Sequence, residues 1–159
     1  MTGTQTGLFE RRWAGPMVTV KALTVCQPYA HLIAIGEKRV ENRTWGTHYR
    51  GPVAIHAGRS WAWMRAGDAE HYPGMAFGAV VAVAELAACL HICDVRAGRA
   101  PDGFEWVARH AHTEGPFCWV LGRVERVGPY PCGGAQGLWD AELPMDMLRA
   151  AEAVESGHG

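Results

Sequence analysis

The chain has 159 residues, of which 48% are hydrophobic and 19% are charged, and this balance is typical of a globular protein rather than a disordered or collagenous one. Its length fits one domain with a single core. The formal net charge of −1 argues against a partner held by a uniformly basic surface. No apolar run approaches the ~20 residues that cross a bilayer, and the first residues lack the apolar core of a signal peptide, so we expect a cytoplasmic protein that binds no membrane.

The first half of the chain predicts short strands and helices after an irregular start. Residues 1–16 show no sustained periodicity, and we expect a flexible N-terminal tail. Alternating β-branched residues indicate strands. Pro28 and Gly36 mark the start and the end of one short helix, and Ser60 is placed to cap a second helix. In chain order, we predict a strand over 17–25, a helix over 28–35, strands over 38–45 and 52–57, and a helix over 60–70.

The predicted strand over 38–45 has no apolar face. In a regular strand its charged and aromatic residues share one side, which carries Arg39, Glu41, Arg43 and Trp45. We expect such a strand to line a solvated groove or to form the edge of a sheet.

Positive charge is concentrated in the same part of the chain. Residues 37–65 contain six basic and two acidic side chains, a sum of +4, so the rest of the chain carries −5. A neutral protein with one basic segment fits a local anionic ligand better than a general coat of polyanion. A solvated charged surface is the alternative interpretation of the same pattern.

The second half contains the strongest strand pattern, an almost continuous apolar run over 77–86 that is typical of a strand buried on both faces. After it we predict a loop over 89–101, a helix over 102–110, a strand over 117–127, a loop over 128–137 and a strand over 138–143. A C-terminal helix and tail follow over 144–159. Five to six short strands with two to three flanking helices predict a mixed α/β (α+β) fold, a small β-barrel formed by residues 17–143.

One motif links this pattern to a known family. The pattern G-x-K-x-x-E-x-R is matched at Gly36, Lys38, Glu41 and Arg43. It is flanked by Gln27-Pro28 before it and by Trp45, Arg50-Gly51 and Ile55-His56-Ala57 after it. Together these motifs resemble the ASCH (activating signal cointegrator homology) domain of the PUA-like superfamily, over about residues 18–142. The resemblance implies a β-barrel of about six strands, with a cleft between the helix and the motif strand that is proposed to bind RNA or nucleotides.

Lys38 is the strongest site candidate on its chemistry. The chain has two lysines against 13 arginines, so a lysine at this position indicates a need for a compact point charge or a titratable amine. We expect Lys38, Arg43 and Arg50 to hold phosphate. An exposed lysine at the start of a strand is the structural alternative.

Other residues complete the predicted site. Tyr29 or Trp45 would stack a base, and Glu41 with Gln27 would read its edge, although Glu41 can equally form a structural ion pair. His56 is a secondary candidate, because a histidine among apolar strand neighbours is more often structural. The expected ligand is single-stranded RNA or a modified nucleotide. DNA stays open as an alternative, and the base identity and the oligomeric state are undetermined.

The resemblance also implies a second hypothesis, a hydrolase. Some small ASCH proteins resemble amidohydrolases of N4-acetylcytidine that use a lysine, a threonine three residues later and a glutamate on a following strand. Here Glu41 stands at the threonine position, Thr44 lies too far along the strand to replace it, and Glu85 aligns only loosely with the acidic position. Lys38, Glu41 and Glu85 are therefore catalytic candidates only if the protein is an enzyme. Other ASCH proteins resemble metal-assisted ribonucleases.

No cofactor or metal site is expected from the sequence. The five cysteines include no C-x-x-C pair, and their spacing to the histidines matches no structural zinc pattern. A divalent metal would enter only with the ribonuclease alternative. A protein-interaction module that pairs through the edge of the motif strand is a third hypothesis.

Overall fold

A six-stranded mixed sheet organises the structure. This computed structural model describes Trp13 and residues 15–153, so most of the predicted N-terminal tail and the end of the predicted C-terminal tail lie outside the described residues. The strands are β1 (Met17–Val25), β2 (Val40–Arg43), β3 (Gly51–Ala57), β4 (Ala79–His91), β5 (Phe117–Pro131) and β6 (Leu138–Pro144). Their order is β2-β5-β4-β3-β1-β6, with β1 parallel to β3 and the other neighbouring pairs antiparallel.

Short helices pack on both faces of this sheet. In the part of the chain that the structure describes, they are α1 (Tyr29–Ala34), α2 (Asp68–His71), α3 (Ile92–Arg96), α4 (Met145–Ala153) and a 3-10 helix (Glu105–Arg109). Residues of β1 alternate between two core clusters, with Leu23 in the cluster beneath α1 and Val20 in the cluster beneath α4. The predicted α+β class and the predicted number of strands are thereby confirmed. None of these helices has the length and hydrophobicity needed to span a bilayer.

The predicted β-barrel is confirmed only in part, because its six strands are present but the sheet that they form is open. β2 and β6 are its two edges, and they do not pair with each other in the described structure. Arg39 O accepts an amide of β5, so the carbonyl of the next residue, Val40, points away from β5, and the Lys38 ammonium donates to it at 2.6 Å. Arg43 Nη2 donates to Thr24 O at the end of β1 at 2.7 Å. Lys38 and Arg43 thus bond to backbone carbonyls beside β2, and Arg43 joins β2 to the end of β1.

Most predicted strands are confirmed, but their lengths differ. β1, β3 and β6 match the strands expected over 17–25, 52–57 and 138–143, and α1 matches the expected helix. The motif strand β2 has only four residues. β4 and β5 run to His91 and Pro131 because they pair with each other along one long antiparallel ladder. The loops predicted over 89–101 and 128–137 are therefore wrong at their starts, and α3 follows β4 directly.

The helix predicted over 60–70 is also wrong for most of its length. Ser60 Oγ accepts the amide of Ala62, and the amide of Met64 bonds to Trp61 O, which closes a turn instead of a helix. Gly67 has a φ of 91°, so helical backbone begins only after it, at α2. The helix predicted over 102–110 is reduced to the short 3-10 helix.

Candidate functional site

A cleft with a volume of ≈ 360 Å³ opens at the carboxyl end of β1, between α1 and β2. Four predicted site residues, Tyr29, Lys38, Glu41 and Arg43, line it together. The rest of its lining comes from Thr24, Val25, Cys26, Asn42, Trp63, His112 and Glu114. The motif spacing therefore brings the charged residues of β2 and the first residue of α1 to one opening.

A larger cavity of ≈ 650 Å³ lies elsewhere, between β1, the start of β3, β4 and α4. Its polar groups include Glu85 and the ion pair of Lys21 with Asp140, whose charged atoms are 2.7 Å apart. No residue of the G-x-K-x-x-E-x-R motif lines it. We place the candidate site in the smaller cleft because that is where the motif side chains converge.

Lys38 is held in the cleft by the turn that ends α1. Gly36 has a φ of 83°, and the amides of Glu37 and Lys38 both bond to Leu32 O, which bends the chain back under the helix. The Lys38 side chain is 5% exposed, and its ammonium lies 5.4 Å from the centroid of the Tyr29 ring. Hydrogen-bond donation to Val40 O and an ion pair with Glu41 are contacts of a protonated amine. Lys38 therefore serves the cleft as a cation.

Glu41 links two cations. Its Oε2 is 3.4 Å from Lys38 Nζ, and its Oε1 is 3.3 Å from Arg43 Nε. The second contact lacks hydrogen-bond geometry, so the buried Arg43 Nε makes no hydrogen bond within the described residues. Arg43 is instead fixed through Nη2 and Thr24 O. The three side chains carry a net charge of +1, because two cations share one carboxylate.

Three rings line the cleft, with Tyr29 between the other two. The Tyr29 ring centroid lies 6.5 Å from that of Trp63, with the planes tilted by 60°, and 6.5 Å from that of His112, with the planes at 78°. Burial lowers the pKa of His112, and the nearby charge of Lys38 lowers it further. His112 is therefore a neutral imidazole at neutral pH, so it contributes a ring and not a charge.

One wall of the cleft depends on Asn42. Its Oδ1 accepts the amides of Glu114 and Gly115 at 2.9 and 2.8 Å, and its Nδ2 donates to His112 O at 2.8 Å. The exposed Glu114 lies at the rim. The side chain of Asn42 thus fixes the segment that carries His112.

Gln27 supports the cleft without lining it. It is fully buried, its Oε1 accepts the amide of His31 at 2.9 Å, and its Nε2 donates to Ala76 O at 2.6 Å. It therefore ties the start of α1 to the segment that precedes β4. The structure does not place Gln27 where it would read the edge of a base in the cleft.

Trp45 and Arg50 lie outside the cleft. The Trp45 ring packs edge-on against Trp119, with centroids 4.7 Å apart, and Trp45 O accepts the indole N–H of Trp119 at 3.1 Å. Arg50 Nη1 donates to Thr47 O and Tyr49 O in the loop before β3. Both side chains hold the 45–50 loop in place.

His56 and Glu85 are also separate from Lys38. His56 is buried, with Nδ1 3.3 Å from Thr24 Oγ1 and Nε2 2.9 Å from Cys132 O. This matches the structural alternative for a histidine between apolar neighbours. Glu85 is exposed and lines the larger cavity.

Trp63, Asn42 and His112 join the cleft without having been predicted from the sequence. The only sequence signal for Trp63 is a pair of tryptophans, Trp61 and Trp63, in a segment otherwise rich in small and polar residues. His112 belongs to a His-Ala-His sequence far from the motif, and nothing local indicates its position. Within residues 15–153, no three His, Cys, Asp or Glu side chains converge in a way that would hold a metal ion.

The fold and the cleft together define an α+β domain with an open mixed sheet and a site made of cations and rings. The ASCH domain model matches residues 23–125, which is more than half of the chain, and the chain belongs to the ASCH domain family. No curated protein matches the chain.

Several solved structures resemble the chain. One is the crystal structure of ASCH from Zymomonas mobilis, with 12% identity, a TM-score of 0.47, and coverage of 84% of this chain and 94% of that one. Two single-substitution variants of that protein match with 14% identity, TM-scores of 0.47 and 0.48, 84% coverage of this chain, and 94% and 96% coverage of theirs. Likeness at this level says nothing about the ligand.

Proposed function

We propose that the chain binds one nucleotide unit of single-stranded RNA, or a modified nucleotide, in this cleft. The observation that carries the proposal is the convergence of two cations, Lys38 and Arg43, with three rings at one open cavity. A nucleotide has the complementary features, an anionic phosphate and a flat base. The volume of ≈ 360 Å³ lies within the range of small-molecule sites.

The cations keep hydrogen-bond donors for a ligand. An ammonium has three N–H donors, and in Lys38 Val40 O takes one while Glu41 faces another. The Arg43 Nε is buried against Glu41, but the side chain as a whole is 22% exposed and lines the cleft, so its terminal guanidinium N–H groups face the opening. A phosphate oxygen or a base carbonyl would satisfy these donors, and charge-assisted bonds are about twice as strong as neutral ones. Glu41 then acts by holding both cations, since each of its oxygens faces one of them.

Tyr29 and Trp63 supply stacking surfaces for the base. Their rings are 6.5 Å apart at the mouth of the cleft, and Trp63 is largely exposed. Base stacking on an aromatic ring contributes ~1–3 kcal/mol per base in single-strand binders. Tyr29 keeps the role predicted for it, and Trp63 takes the role predicted for Trp45.

The cleft is only weakly positive. Lys38 and Arg43 outweigh Glu41 inside it, and Glu114 adds a negative charge at its rim. The other basic residues of segment 37–65 lie outside its lining. The cleft should therefore contribute one or two phosphate contacts to binding, and between about −0.7 and −1.4 to the log–log salt slope.

Substitution of Lys38 tests the proposal. We expect Lys38→Ala to weaken binding of a short single-stranded RNA about tenfold, because a charge-assisted donor is lost. The salt slope should become shallower by about 0.7. Fluorescence anisotropy over a series of salt concentrations measures both quantities.

Lys21 provides a matched control, because it is the only other lysine in the sequence and pairs with Asp140 at the larger cavity. Lys21→Ala should change neither the affinity nor the slope. Equal affinity and slope for Lys38→Ala and wild type would remove Lys38 from the site. A DNA strand of the same sequence, measured in parallel, shows whether the 2′-hydroxyl contributes.

A hydrolase in the same cleft is the second candidate. The observation that favours it is His112, whose lowered pKa leaves a neutral imidazole, the form required of a general base, beside Lys38. Two observations argue against an amidohydrolase. Glu41 stands where the threonine is expected, and Glu85 lines the larger cavity instead of the cleft.

Incubation with N4-acetylcytidine and with labelled RNA, followed by chromatography, separates the two candidates. Product from wild type but not from His112→Gln would support the hydrolase, and its loss with EDTA would indicate a metal-assisted ribonuclease. Binding of RNA without any product would support the binding module over the hydrolase.

A further inference from the structure

A second exposed tryptophan stands next to the cleft. Trp61 and Trp63 are each 61% exposed, on the segment that joins β3 to β4. Trp63 lines the cleft, whereas Trp61 does not, so the proposed function leaves Trp61 without a role. Large apolar side chains this exposed often mark a binding surface.

Trp61 is ordered as a flat platform. Its ring stacks on Phe77 with centroids 4.5 Å apart and planes 8° from parallel, so one face is covered while the side chain stays largely exposed. Phe77 is fixed by its neighbours, since Gln27 Nε2 bonds to Ala76 O at 2.6 Å and the amide of Gly78 bonds to Ala57 O at 2.8 Å. Phe77 therefore holds the indole rigidly with its other face open, so a ligand that stacks there loses little side-chain entropy on binding.

A guanidinium lies beside this platform. Arg59 runs across Gly78, the residue after Phe77, so closely that a Cβ at Gly78 would be 2.7 Å from Arg59 Nε. Arg59 is exposed and forms no ion pair or hydrogen bond with the residues that the structure describes. A stacking ring with an unpaired cation next to it matches the base and the phosphate of one nucleotide.

We propose that Trp61, backed by Phe77 and flanked by Arg59, is a second base-stacking subsite for the nucleotide that adjoins the one in the cleft. The inference rests on the proposed function and deepens it. Trp61 and Trp63 belong to one turn, closed by the bond from the Met64 amide to Trp61 O at 3.0 Å. Because Trp61 is two residues from Trp63 in this turn, we assign to it the nucleotide that adjoins the one in the cleft. The ligand is then a single-stranded oligonucleotide and not a free nucleotide.

The dependence of affinity on ligand length tests this subsite. Wild-type protein should bind an octauridylate more tightly than uridine monophosphate. Titration calorimetry measures the affinity for both ligands. Trp61→Ala should weaken octauridylate binding about tenfold, within the range of one lost stacking contact, and leave monophosphate binding unchanged. Trp61→Phe should restore most of the loss. Arg59→Gln should make the salt slope shallower for octauridylate alone.

The mononucleotide measurement reports on folding and on the cleft at the same time. If Trp61→Ala binds octauridylate as wild type does, or if wild type binds both ligands equally, the second subsite is overturned while the cleft proposal stands. If Trp61→Ala also loses the monophosphate, Trp61 belongs to the first site and the two-subsite scheme is wrong. If wild type binds neither ligand, the proposed function fails and this inference fails with it.

Discussion

At the scale of single residues, the cleft depends on Asn42 as much as on the charged residues beside it. One amide side chain satisfies two backbone N–H groups, of Glu114 and Gly115, and one carbonyl, of His112. Because the amide of Gly115 is partly buried, loss of its acceptor leaves a polar group that water reaches poorly. The cost is then larger than that of an exposed hydrogen bond.

We expect Asn42→Ala to lower the free energy of unfolding by about 2 kcal/mol and to weaken RNA binding, since the wall that carries His112 loses its anchor. Thr44→Ala, an exposed change close by in the chain, is the control. Urea unfolding and anisotropy measure the two effects, and an Asn42→Ala protein as stable as Thr44→Ala would contradict the role.

The residues that could be predicted are those whose neighbours in sequence are also neighbours in space. One turn and one short strand contain Lys38, Glu41 and Arg43, so a local sequence pattern identifies them. Tyr29 begins α1, the helix directly before that turn. Trp63 and His112 reach the cleft only through the folded chain. Arg50 is the opposite case. Its position before Gly51 is a local sequence feature that suggested a ligand contact, but its guanidinium donates to backbone carbonyls of its own loop.

At the scale of elements, the segment from Ser60 to Phe77 is positioned by one buried side chain. Gln27 joins it to α1 through Ala76 O, and α2 contributes no buried residue to the core. The helix expected over 60–70 is wrong for most of its length, and no residue of 60–71 is buried against the sheet. The order of the segment depends instead on a few polar and aromatic contacts near its ends.

We expect Gln27→Ala to loosen this segment while the sheet stays intact, because Ala76 O and the amide of His31 both lose their partner. Trypsin should cut faster after Arg59 and Arg65, and amide exchange should rise across 59–77. Gln136→Ala, at an exposed glutamine, is the matched control. Unchanged cleavage in Gln27→Ala would show that other contacts order the segment.

At the scale of the whole molecule, the strand count was predictable and the closure of the sheet was not. Alternation along β1 and the apolar run of β4 are local properties that indicate strands directly. Whether the two edge strands, β2 and β6, meet depends on contacts between distant segments, which no local pattern of residues indicates. At this end of the sheet, Arg43 of β2 bonds to Thr24 O of β1, and both residues line the cleft.

The stability of the molecule should depend on three histidines. Burial is the main cause that lowers the pKa of His31, His110 and His112, and the charges of Arg126 and Lys38 add to it. His110 Nε2 also accepts the amide of Arg39 at 3.0 Å, a bond that only an unprotonated nitrogen makes. In the unfolded chain each histidine returns to a pKa near 6.5.

Acidification therefore favours the unfolded chain, which takes up protons that the folded chain resists. The contribution of these histidines to stability is complete above the unfolded pKa and is lost as the pH falls through it toward the lower folded values. We expect the Tm to fall between about pH 7.5 and 5.5, before the carboxylates titrate. Calorimetric scans of wild type, His31→Asn and the exposed-site control His48→Gln measure this. His31→Asn should show a weaker pH dependence and His48→Gln an unchanged one, and a Tm that is constant or rises on acidification would contradict the assignment.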